Sequence, residues 1–213
     1  EALPNLEVAP EHLAENLEPI LERTAGGNIF GKTIHSGVQE LAEQSIDLAE
    51  EFYSEFIARP ESPVVSLASN ALLGLSSQAF ENAHQWALEL TRSDELVVTR
   101  VGIDVLGRLE YPDDRDLLAS SMDHLSELKE REDSEIDYIL AQAYGNLVEE
   151  SDEAKEALVE LSSRPDPRTQ HYITRALYSI DDALQEPWVH TLLVRLAGAG
   201  VTDTTGLDNL DLH

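Results

Sequence analysis

Between residues 64 and 198 the chain repeats itself at helical spacing. Laying VTRVGIDVLGRLE on IDYILAQAYGNLV at an offset of 38 puts Val98 on Ile136, Val101 on Ile139, Val105 on Ala143, Gly107 on Gly145 and Leu109 on Leu147. Thirty-three residues earlier, Val65, Ala68, Leu72 and Gly74 fall on the same positions. Thirty-three later come Tyr172, Ile173, Ala176, Leu177 and Ile180, with Tyr178 in place of the glycine. A stripe recurring every three to four residues is one face of a helix, and a fixed repeat of such stripes means units that bury their faces against one another.

The rhythm is helix, short polar turn, helix. Four pairs are expected, 64–75 with 78–92, 95–109 with 113–131, 134–149 with 152–163, and 168–180 with 186–198. Each first helix carries a stripe such as 98, 101, 105 and 109, and a second helix one such as Leu118, Met122, Leu125 and Leu128. One pair cannot cover both stripes, so neighbours must stack. Ser76-Ser77, Asp113-Asp114, Ser151-Asp152 and Asp181-Asp182 offer side-chain oxygens for helix starts. Gly74, Gly107 and Gly145 suit close helix approach.

Residues 99 to 122, TRVGIDVLGRLEYPDDRDLLASSM, resemble a HEAT-type repeat: a first helix ending in L-G-x-L, a Pro/Asp turn, then a helix opening on acids and Leu pairs. The likeness is looser at 134–163 and rests mainly on apolar spacing in the outer units. It implies an all-α, right-handed solenoid of about four HEAT-like helix pairs across 64–198. An N-terminal helical cap with a Gly-rich connection is expected over 1–60, and a tail over 199–213. Within the cap, 10–23 forms a first helix that Pro19 should bend or divide, and 35–59 a single long second helix ended by Pro60 and Pro63.

The connection GGNIFGKT has the spelling of a phosphate-binding P-loop, with Gly26, Gly31, Lys32 and Thr33 in the fixed places. A working P-loop follows a buried strand, and PILERTA before it continues a charged helical pattern. A nucleotide-binding element is therefore the third reading of function, behind two that follow from charge.

Forty-two acidic residues face 14 basic ones, a formal net charge of −28. Nucleic acid and anionic membranes repel such a surface. Only three of the 14 basic residues are lysines, at 32, 129 and 155. That balance resembles proteins of salt-accumulating cells, where concentrated salt screens the self-repulsion. The leading expectation is a non-enzymatic scaffold or adaptor whose concave face binds a protein with a basic surface. The alternative is an acidic decoy that mimics DNA and occupies a nucleic-acid-binding protein.

There is no cysteine and no run of 18 apolar residues, and the N-terminus EALPNLEVAPEHLAEN is acidic, so a soluble cytoplasmic protein is expected. Glu1 in place of Met suggests a processed product or a domain of a larger protein.

No catalytic residue, metal site or cofactor is expected. The histidines at 12, 35, 84, 124, 171, 190 and 213 form no H-E-x-x-H or H-x-x-x-H pair. Arg100, Asp104 and Arg108, four apart, read as a surface ion-pair ladder. In HEAT-like solenoids the second helices line the concavity. Turning their stripes inward points Asp116, Asp123, Glu127 and Glu130 outward, with Glu89 on the preceding unit and Glu156 and Glu160 on the next. Trp86 stands at the edge of its helix's inward face and is a candidate anchor for a partner, while Trp188 reads as core or cap. Asp104, Glu135 and Asp137 lie on the first helices, away from this face.

Overall fold

Ser45 shows how local chemistry shapes the fold. Its extended backbone and its hydroxyl, which accepts from the Leu48 amide at 3.1 Å, start a new helix where a single one was expected over 35–59. The computed structural model describes residues 9–24, 29–112, 115–177, 180 and 185–198, and every regular element among them is helical, with no strand. The chain divides into two compact units, Glu1–Leu109 and Glu110–His213.

The first unit holds α1 (Pro10–Thr24), α2 (Ile29–Ala42), α3 (Ile46–Ile57), a 3-10 segment (Pro63–Leu67), α4 (Ala68–Ser76), α5 (Phe80–Leu90) and α6 (Leu96–Leu106). α1 runs through Pro19 undivided. The expected helix at 64–75 opens instead as the 3-10 segment, because Ser62 caps the Val64 amide and Pro63 takes the first position. α4 is buried along Ala68–Leu75 and carries no charge, as a helix enclosed on all sides must be. It packs against α2, α3, α5 and α6. Phe52 and Phe56 stack at 5.7 Å in the same core.

Close approach here needs glycine. A Cβ at Gly74 would lie 2.5 Å from the Ala42 Cβ on α2, and one at Gly102 would lie 2.7 Å from the Ala87 carbonyl on α5. Gly102 thus has a packing role that was expected of Gly107, which ends α6 as its C-cap. Ser76 and Ser77 cap no helix start: their hydroxyls donate back to the Leu73 and Gly74 carbonyls, and Ala79, at the N-cap of α5, offers no side-chain cap.

The second unit holds α7 (Arg115–Lys129), α8 (Ser134–Leu147), α9 (Asp152–Leu161), α10 (Pro167–Leu177) and α11 (Pro187–Gly198). Asp133, Ser151 and Asp166 each cap the helix that follows. The caps expected from Asp113-Asp114 and Asp181-Asp182, and the tail 199–213, lie outside the described residues. α8 packs broadly on α10, with α9 against both α8 and α11. α7 touches α8 and α9 at few points.

Candidate functional site: an acidic cleft between α7 and α9

α7 buries Met122, Leu125 and Leu128, and α9 buries Ala154, Ala157, Leu158 and Leu161. A helical stripe of this width leaves the flanking positions facing solvent, and on both helices those positions are acids. A pocket of about 440 Å³ lies between the two helices. Asp123 on α7 and Glu130 just past its end border it, with Glu153, Glu156 and Glu160 from α9. A neighbouring pocket of about 470 Å³ shares Met122 and Glu153 and adds Glu149, Glu150 and Asp152. Burial raises the Glu150 carboxyl above the usual range, and the charges of Glu110 and Glu149 raise it further.

One cation stands in the first pocket. Lys129, on its wall, forms a salt bridge with Glu160. Asp123, Glu130, Glu153 and Glu156 have no ion-pair partner among the described residues. Lys155 is engaged elsewhere, 2.7 Å from Asp152, whose carboxyl it holds below the usual range.

Tyr144 reaches the same pocket from α8. It is fully buried, and its hydroxyl has no hydrogen-bond partner among the described residues. Burial pushes the phenol above its ordinary range; Glu160 and Glu153 add to the rise, and Arg164 opposes it.

Arg164 fixes the end of the cleft. Its guanidinium donates to the Asp137 carboxylate on α8 and, at 2.8 Å, to the Lys129 carbonyl at the end of α7. Asp137, which the sequence places on a first helix away from the acidic face, is a buried ion-pair partner. Burial raises its carboxyl and the Arg164 charge pulls it back. Of the other first-helix acids, Glu135 pairs with Arg168, whose guanidinium also lies 4.9 Å over the Tyr138 ring, and Asp104 pairs with Arg108 at 2.9 Å.

The expected partner-binding residues separate into groups. Asp123, Glu130, Glu156 and Glu160 come together at one pocket. Asp116 and Glu127 are exposed on α7 but do not line it. Trp86 and Glu89 belong to the first unit, where Trp86 is half-buried and stacks on Tyr53 at 4.9 Å. Glu153 and Tyr144 were not expected. Glu153 was within reach, three and seven residues before Glu156 and Glu160, whereas nothing in the sequence marks Tyr144.

At the P-loop-like segment, α2 begins at Ile29, so Gly31, Lys32 and Thr33 sit in its opening turns, with Lys32 and Thr33 exposed. Among the described residues the preceding element is α1, not a strand, and Gly26 lies outside them. Among the histidines, His35 hydrogen-bonds Asn70 at 2.6 Å and His84 stacks on Phe80. No group of three potential metal ligands converges among the described residues, and no described helix is long and apolar enough to cross a membrane.

No family model matches the chain, and no curated protein matches it. A solved structure described as that of an engineered protein is similar over 97% of this chain and 92% of its own, at 19% identity and a TM-score of 0.46. A likeness that weak carries no argument about fold or function.

Proposed function

We propose that the chain is a non-enzymatic scaffold that binds a protein through a basic segment laid against α7 and α9. The observation that carries this reading is the pocket around which Asp123, Glu130, Glu153, Glu156 and Glu160 gather. Uncompensated carboxylates on two facing helices attract a positive segment, steer its approach and disfavour acidic competitors. In this reading the helix pairs stack as a right-handed HEAT-like solenoid of about four pairs. Its support lies within each unit, in the packing of α4 on α6, α8 on α10 and α9 on α11. The charge of −28 and the scarcity of lysine support the cytoplasm of a salt-accumulating cell as its setting.

The test compares two triple charge reversals on a captured partner. Asp123, Glu130 and Glu156 to Lys should weaken binding and flatten its salt dependence. The exposed Glu15, Glu51 and Glu81 to Lys, an equal charge change, should cost much less. Asp137 is unsuitable as a control because its reversal breaks a buried ion pair. Equal losses from the two triples would leave only nonspecific electrostatics. Displacement of the partner by nucleic acid would support the decoy instead.

A further inference from the structure

We infer that the α7–α9 pocket is a receptor for one guanidinium group, an arginine of the partner's basic segment, with Tyr144 as its buried hydrogen-bonding wall. The inference rests on the scaffold reading and deepens it, by naming the side chain the pocket takes. Three observations exclude other occupants. Five carboxylates against one ammonium rule out an anion and disfavour an apolar group, which would desolvate them without return. The carboxylates do not converge: no three of them stand as a ligand set for a metal ion. A small inorganic cation demands such convergence, whereas acids spread over two helices suit a larger cation with donors pointing several ways. The Tyr144 hydroxyl supplies the third observation, since it is buried at the pocket without a partner.

A guanidinium meets these conditions together. Its five N–H groups lie in a rigid plane, so it spans carboxylates on α7 and α9 while one N–H donates to the phenolic oxygen. Met122 and Ala157, on the same wall, offer apolar surface to the arginine stem. A lysine ammonium presents three donors from a single point, and the chain's own Lys129 shows its reach here: one ion pair, to Glu160.

The experiment is an NMR titration of the full chain at low salt with acetyl-Gly-Arg-Gly-amide, its lysine counterpart and spermidine. The arginine peptide should bind most tightly and shift signals of Tyr144, Met122 and Ala157. Tyr144→Phe should weaken it roughly tenfold, the scale of a hydrogen bond to a charged group. The same variant should melt at or above the wild-type temperature, because it deletes an unpaired buried hydroxyl; a purely structural tyrosine would move stability and leave affinity alone. Glu156→Gln, at an exposed position, serves as a second variant and should also weaken the peptide. Unchanged affinity in Tyr144→Phe, or equal binding of the lysine peptide or spermidine, would overturn the guanidinium receptor. The scaffold reading fails separately, when reversals on α7 and α9 leave partner affinity intact while Tyr144 still governs the arginine peptide.

Discussion

Gly145→Ala tests the packing that holds the second unit together, because two effects of known size oppose each other there. Alanine is the better helix former by about 1 kcal/mol. Its Cβ would stand 2.6 Å from the Ala176 Cβ on α10, where nonbonded carbons rest at about 3.5–4.0 Å. α8 and α10 would therefore have to part by roughly 1 Å, loosening Leu140, Leu147, Ile173 and Leu177, which are buried on these helices. Overpacking of this kind costs about 1–3 kcal/mol, so the net loss should be about 1 kcal/mol. For a unit of this size that lowers Tm by about 4–8 °C in a far-UV circular dichroism melt. Adding Ala176→Gly restores the space, so the double variant should be more stable than the sum of the two single changes predicts. Gly198→Ala, with nothing within 4 Å of its new Cβ, should cause no loss. A Gly145→Ala protein as stable as wild type, without coupling to Ala176, would refute the close helix contact.

Three further outcomes are expected. Arg164→Met leaves the buried Asp137 carboxylate unpaired and should cost about 3 kcal/mol in urea unfolding at pH 7. Burial already raises the Asp137 carboxyl and Arg164 lowers it, so losing Arg164 raises it further; the penalty then belongs to the charged form and should shrink as pH falls. Burial also pushes Asp166 up, but the Thr169 hydroxyl and amide together with Arg168 outweigh it and hold the carboxyl below 3.8. Its contribution is present above that value and lost as pH falls through the folded-state pKa, so the stability gap between wild type and Asp166→Asn should close in acid. Tm should climb from about 0.1 M to molar KCl as salt screens the uncompensated carboxylates, and a flat profile would remove the salt-adapted setting.

The helices from α5 onward were legible because their apolar stripes keep one period and polar turns separate them. The pair expected at 134–149 and 152–163 appears as Ser134–Leu147 and Asp152–Leu161. The break at Ser45 was missed because apolar residues continue on either side of it, although Ser45 followed by Asp47 already marks a helix start. Projection of α7 and α9 onto helical faces placed Asp123, Glu130, Glu156 and Glu160 outward, and these four do share a pocket. The ion pair of Asp137 was not legible from its place on a first helix, since its partner Arg164 comes from a turn 27 residues later. Tyr144 was illegible for a related reason. Whether a buried tyrosine's hydroxyl is satisfied depends on what other helices bring to it, and one helix's spacing carries none of that information.

The most direct test of the cleft is amide hydrogen exchange on the full chain, free and saturated with its captured partner. Slowed exchange should concentrate in α7, in α9 and in the turn at 148–151 that leads into α9 and includes two of the cleft's acids. α8 and α10, which are packed on each other, should change little. Protection confined to α8 and α10 or to the first unit, with α7 and α9 exchanging as in the free chain, would contradict the assignment of binding to this face.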